Sequence, residues 1–195
     1  MAIAHNDTAA ALEKVLLRSF GQMLKHSISN VTWNVSGIKQ LADLNYSHCI
    51  VLTISSFKFR AMTLLHLNLD QQIKQQIATA LGSSTEDLQE SAYLDYLLEM
   101  SNSFCGNLKR MFQDTCPPLG MSTPNLLDRS SLVFDGIFKV SYETHCRAVG
   151  DYSEPALFAA SVLISLQDPK DFRLPPAHEI QIEDEDDGAG ELEMF

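Results

Sequence analysis

One stretch of this chain carries side chains whose types and spacing could do chemistry together: Asp95-Tyr-Leu-Leu-Glu99-Met-Ser-Asn102-Ser-Phe-Cys-Gly106-Asn-Leu-Lys109. At about 100° per residue of helix, Asp95, Glu99, Asn102 and Gly106 fall within an arc of roughly 60°, and Lys109 and Gln113 extend the stripe. Tyr93, Leu97, Met100, Phe104, Leu108 and Met111 form the opposite, apolar face. The stripe thus offers two carboxylates, an amide and a bare backbone spot. A side-chain amide can orient a water, because it donates and accepts without carrying charge. A carboxylate can pair with a cation on another molecule. Glycine inside a helix costs about 1 kcal/mol relative to alanine, so on a polar face it suits close approach by a partner. A solvated polar face is common to all amphipathic helices, so the stripe alone does not fix a function.

The elements that must hold this stripe are readable in outline. Ser83 with Glu86, or Ser84 with Asp87, forms a capping box, and Pro117 and Pro118 stop the chain beyond, which predicts a helix over about 86–112. Asp7 or Thr8 can cap an earlier helix running to about His26, with Leu12, Val15, Leu16, Ser19, Phe20 and Met23 at helical spacing. A β-like piece over 31–35 is interrupted by Gly37. Branched residues predict strands over 48–57 and 61–69, joined as a hairpin near Lys58 without the glycine such a turn commonly uses. A short helix starts at Asp70 and stops at Gly82. An extended piece over 119–127 and strands over 136–149 and 156–166, joined by Gly-Asp-Tyr-Ser-Glu-Pro, follow. The order predicts an α+β fold: an antiparallel sheet packed against two long helices and a shorter one.

With these elements in view, the 95–112 helix resembles the signature helix of the CheC/CheX/FliY family of chemotaxis phosphatases. That pattern has Asp or Ser, then Glu, Asn, Gly and often Lys, matched here by Asp95, Glu99, Asn102, Gly106 and Lys109. A proline a little over twenty residues after the Asn, at the entrance to a strand, is matched by Pro124. The resemblance covers most of 9–167. CheC-type members carry two such helices; here the first reads Glu13-Lys-Val-Leu16, with Leu where Asn is needed, which leaves one site and the look of CheX. The resemblance implies a phosphatase for the aspartyl-phosphate of a CheY-type receiver, with Asn102 orienting the attacking water and Glu99 pairing with the receiver's lysine. Asp95, Gly106 and Lys109 would contact that partner. It implies no cofactor in this chain, Mg2+ in the receiver's own site, and a homodimer. Two alternatives stay open: a non-catalytic CheX-like adaptor that binds a receiver or other signalling protein, and an unrelated α+β interaction domain.

Composition narrows the rest. The 195 residues hold 14 Lys and Arg against 25 Asp and Glu, a net charge of -11. Eight of the acidic residues lie over 179–195, which leaves 17 acidic and 14 basic residues, a net of -3, for 1–178. Neither part has the basic concentration that phosphate backbones or anionic membrane surfaces require, so nucleic acid and membrane are not expected partners. The first twenty residues lack a basic then apolar pattern, so a signal peptide is not expected, and the ten apolar-rich residues from Leu157 to Leu166 are too few to span a bilayer. A cytoplasmic protein with reduced Cys49, Cys105, Cys116 and Cys146 is expected, and the Asn-x-Ser/Thr sequons at Asn6, Asn30, Asn34 and Asn45 read as chance. Histidines show no metal-ligand spacing, and His145-Cys146 on one strand point to opposite faces, a poor dyad. One domain is expected over 1–168, followed over 169–195 by a proline-containing linker and a disordered acidic tail.

Overall fold

A computed structural model of the chain describes residues 2–40, 45–113, 118–131, 139–151, 155–168 and 172–181. Helix α1 (Ala2–Ser27) leads into β1 (Trp33–Ile38), and β2 (His48–Ser55) and β3 (Phe59–Leu67) form a hairpin. Helices α2 (Gln71–Ala80) and α3 (Glu90–Gln113) precede β4 (Gly120–Met121), β5 (Asn125–Asp128) and a 3-10 turn (Arg129–Ser131). Strands β6 (Tyr142–Gly150) and β7 (Phe158–Leu166) complete one sheet, seven-stranded among the described residues, in the order β1-β6-β7-β3-β2-β4 with β5 also on β2. Every pairing is antiparallel. The α+β class, the antiparallel sheet, the two long helices and the shorter one are as the sequence predicts.

Alternation along the strands sorts the sheet into two faces. Ile50, Leu52 and Ile54 on β2, Phe59, Ala61 and Leu65 on β3, and Phe158, Ala160, Val162 and Ile164 on β7 are buried with the apolar stripes of α1 and α3 in one core. The two long helices pack side by side there. Phe20 and Phe104 meet edge-on at 5.6 Å, Asn107 Nδ2 donates to the Ser19 carbonyl at 3.2 Å, and the Tyr96 hydroxyl donates to the Ser27 carbonyl. The opposite face holds a small separate cluster of Cys49, Leu64 and Leu163.

Several boundaries differ from expectation, each for a local reason. Helix α1 begins before Asp7, which lies inside it, because the alanine-rich start is itself a strong helix former. Strand β1 runs straight through Gly37, paired with β6 from Trp33↔Gly150 to Ile38↔His145. A Cβ at Gly37 would stand 2.4 Å from Glu13 Oε1, so glycine lets the strand pass beneath that carboxylate. The hairpin needs no glycine: the Ser56 hydroxyl accepts from the backbone N–H of Lys58 at 3.0 Å and Phe59 at 3.2 Å. The Ser84–Asp87 capping interaction forms, with Asp87 N donating to Ser84 Oγ at 3.1 Å, but it closes a separate turn, and α3 starts only at Glu90. Residues 139–141 are not strand, and β6 begins at Tyr142. Helix α2 is as predicted, with Asp70 accepting from Ile73 N and Gly82 at φ 65 beyond its end.

The expected boundary at 168 needs correction. Phe172 is 4% exposed and stacks edge-on against Phe59 at 5.1 Å and Phe112 at 6.1 Å, and Ile180 is also 4% exposed. Two isolated apolar residues in a proline-rich stretch find slots in the core, and their burial offsets the ordering of the chain between them. The acidic end over 182–195 lies outside the described residues.

Candidate functional site

Helix α3 builds the candidate site because its two faces meet different surroundings. Tyr93, Leu97, Met100, Ser101, Phe104, Cys105, Leu108 and Phe112 are buried, which turns the opposite stripe outward. Asp95 and Glu99 are exposed, and Asn102, Gly106 and Lys109 are partly exposed. At the helix start, Lys74 Nζ lies 3.5 Å from Glu90 Oε2 and links α2 to α3.

Glu99 and Asn102 touch. The Asn102 amide nitrogen donates to Glu99 Oε2 at 3.2 Å, an i, i+3 pair on the helix surface. Only the NH2 end of an amide can face a carboxylate, so the pair also fixes which way Asn102 points: its Oδ1 is left as a free-facing acceptor. Glu99 Oε1 stays available to a cation. At Gly106 an added Cβ would meet nothing within 4 Å. Among the described residues no packing therefore requires the glycine, although it weakens the helix by about 1 kcal/mol. Pro124 lies directly before β5, and β5 pairs with β2, one of the strands beneath the helices.

Helix α1 repeats the burial pattern without the chemistry. Its buried Leu12, Val15, Leu16, Ser19, Phe20 and Met23 have the same spacing as Leu97, Met100, Ser101, Phe104, Cys105 and Leu108 of α3. In that phase Lys14 matches Glu99, Leu17 matches Asn102 and Gly21 matches Gly106. The expectation that Leu16 stands in the Asn position is thus off by one residue, since Leu16 is fully buried. The Glu99 and Asn102 positions have no counterpart of their kind on α1. A Cβ at Gly21 would meet Val35 of β1 at 3.9 Å, where Gly106 faces open space.

His145 and Cys146 point to opposite faces of β6, as predicted. Cys146 is fully buried on the helix face of β6, with its thiol pushed up by burial, while His145 on the opposite face bonds Ser161. Cys49, Cys105 and Cys146 are free and buried, and burial pushes the Cys49 thiol up to about 12; Cys116 lies outside the described residues. Among the described residues no group of three or more His, Cys, Asp or Glu could hold a metal ion, and no helix is long and apolar enough to cross a membrane. Sequence reasoning missed one polar cluster, His66, Ser161 and His145. Nothing in the local pattern marks it, because its members lie on three strands.

No protein-family model matches the chain, and no curated protein matches it. Solved structures do. Chemotaxis protein CheX from Vibrio vulnificus aligns with a TM-score of 0.56 over 77% of this chain and 97% of that one, at 14% identity. The CheX–CheY–BeF3–Mg2+ complex from Borrelia burgdorferi supplies a chain with a TM-score of 0.56, covering 79% of this chain and 97% of that one at 9% identity. FliY from Thermotoga maritima reaches 0.51 over 81% of this chain and 88% of that one, at 12% identity. The fold is that of CheC- and CheX-like chemotaxis proteins.

Proposed function

We propose that this chain is a CheX-like phosphatase that hydrolyses the aspartyl-phosphate of a CheY-type receiver. The observation that carries this reading is the outward-facing Glu99–Asn102 pair, joined at 3.2 Å on a rigid helix of a CheX-like fold. A similar CheX has been solved in complex with CheY, BeF3 and Mg2+, which supports a receiver as the partner.

The chemistry asks little of the helper. A water attacks phosphorus in line with the departing aspartyl oxygen, the P–O bond breaks, and inorganic phosphate and a free carboxylate result. Such displacement depends on position and charge stabilisation more than on covalent help. Mg2+ and the acceptor Asp belong to the receiver. Asn102 Oδ1 accepts a hydrogen from the water and aims its lone pair. Glu99 holds the amide through one oxygen and pairs with the receiver's lysine through the other, so one carboxylate sets both docking and water orientation. A carboxylate beside a phosphoryl group repels it unless such a cation stands between them. Asp95 and Lys109 flank the pair at the contact rim, and Gly106 lets the partner's backbone come close. A homodimer and a cytoplasmic setting belong to the same reading.

The test is the decay of a phosphorylated CheY-type receiver, with and without this protein. Asn102→Ala is expected to bind the receiver yet leave decay at the receiver's own rate, and Glu99→Ala to weaken both binding and rate. Acceleration by Asn102→Ala equal to wild type would falsify the assignment. Binding without acceleration by the wild-type chain would instead establish the adaptor reading.

A further inference from the structure

On the sheet face turned away from the helices, side chains from three neighbouring strands are linked. His66 Nε2 lies 2.9 Å from Ser161 Oγ, and the same oxygen lies 2.9 Å from His145 Nδ1. Register produces this arrangement: Ser161 on β7 stands opposite His145 on β6, and one diagonal step from His66 on β3, whose own partner is Ala159. His66 is 3% exposed and Ser161 is fully buried, while His145 is half-buried. The other ring nitrogen of His66, Nδ1, is buried with no hydrogen-bond partner among the described residues.

The serine's single hydrogen decides the direction of the chain. A hydroxyl has one hydrogen and two lone pairs, and between two imidazoles that hydrogen finds an acceptor only when it donates to one ring and accepts from the other. His66 keeps its hydrogen on Nε2, where an acceptor exists, because a buried N–H without an acceptor is the rarer and costlier defect. His66 therefore donates to Ser161, Ser161 donates to His145 Nδ1, and His145 carries its hydrogen on Nε2. A further proton cannot be added without leaving one hydrogen of this chain without an acceptor. At His145 Nδ1 it would oppose the serine hydrogen, and turning the serine round would force the His66 hydrogen onto the unpartnered Nδ1. On His66 itself the added proton would sit at that same nitrogen.

We propose that His66, Ser161 and His145 form an acid-sensitive latch, which ties β3, β7 and β6 together on this face only while both imidazoles are neutral. The groups around it are mixed. The Tyr46 ring lies 6.3 Å from the His66 ring, Cys49 sits beside His66 on β2, and the Arg129 charge opposes protonation of His66. On β6, Glu143 favours a charged His145, and Arg147 follows on the same face; Glu13 and Lys39 line the cavity that His145 also lines. Burial wins at both rings: His66 is lowered from 6.5 to about 3, by burial first and Arg129 next, and His145 is lowered by burial against the pull of Glu143. Both folded values lie below the unfolded one, so the unfolded chain takes up protons first. The latch contributes fully above about pH 6.5 and is lost as pH falls from there toward 3. His66 alone then makes unfolding about 25-fold more favourable at pH 5 than at pH 7.

Nitrogen NMR of the full chain with labelled histidines tests this, alongside hydrogen exchange of the β6 amides at pH 7 and pH 5. Wild type is expected to show both rings as neutral Nε2–H tautomers at pH 7, and Cys146 and Ala148 are expected to lose about tenfold or more of their protection by pH 5, beyond the intrinsic change. In Ser161→Ala the His145 midpoint should rise by about one pH unit, because its Nδ1 no longer faces a serine hydrogen. A His66 Nδ1–H tautomer in wild type, β6 protection that ignores pH, or an unmoved His145 midpoint in Ser161→Ala would each overturn the latch. The wild-type spectra decide the first point even if the variant fails to fold.

Discussion

Helices α1 and α3 are packed alike and present different outer stripes. Each buries the same spacing of residues against the sheet, and each carries a glycine in the same phase of its outer stripe, Gly21 and Gly106. On α3 the stripe opens to solvent and reads Asp95, Glu99, Asn102, Gly106. On α1 the matching positions are Ala10, Lys14, Leu17 and Gly21; Leu17 packs against the core, and Gly21 approaches Val35 of β1. The difference lies less in helix chemistry than in what covers each helix. Strand β1 at the sheet edge comes up beside α1, and among the described residues nothing comes within 4 Å of the corresponding spot on α3. A partner that docks on an outer stripe therefore finds one helix ready and one partly roofed.

The sharpest way to break this comparison is to truncate an interior position of α1 and an exterior position of α3. Leu16→Ala, inside the α1 core, should cost about 2–5 kcal/mol in urea unfolding, whereas Asn102→Ala should stay within about 0.5 kcal/mol of wild type. Near-equal costs would mean that the two faces have been assigned wrongly. Next in size is the rate effect: Asn102→Ala should lose about 100-fold or more of the acceleration of receiver dephosphorylation, read from phosphoryl decay. Adding Lys14→Glu and Leu17→Asn to that variant should restore none of it, because the α1 stripe is partly covered. Recovery of activity would show that α1 is as open as α3.

Glu99→Gln sharpens the roles within the site. The glutamine carbonyl still accepts from Asn102 but cannot pair as an anion, so KM should rise about tenfold while kcat falls less. A kcat loss with unchanged KM would move Glu99 from docking to chemistry alone. The smallest effect belongs to Gly106→Ala, which should stabilise the fold by about 0.5–1 kcal/mol since its Cβ meets open space. Gly106→Trp should keep the fold and block the receiver, measured by binding; Gly21→Trp should instead destabilise, as β1 stands in its way.

Much of this was legible along the chain. Period 3.6 over 93–112 separated Asp95, Glu99 and Asn102 from Leu97, Met100 and Phe104, and branched runs located β2, β3 and β7. Signals that depend on neighbours in space misled. Gly37 reads as a strand breaker until Glu13 is seen above it, and Ser84 with Asp87 reads as a helix cap when it closes only the preceding turn. Phe172 and Ile180 look like strays in a proline-rich stretch, because the slots that receive them are made by Phe59, Phe112 and the rest of the core. The His66–Ser161–His145 chain was invisible because antiparallel register, not sequence distance, sets which side chains meet.

The sequence by itself determined the local periodicities, the α+β class and the stripe of Glu99, Asn102 and Gly106, since backbone geometry repeats every few residues and side-chain polarity can be read against it. Tertiary structure alone decided the phase of α1, the burial of Phe172 and Ile180, the histidine–serine link and the openness of α3. Each of those depends on which surfaces exclude water from one another, and burial is a property of pairs of elements that no single segment encodes.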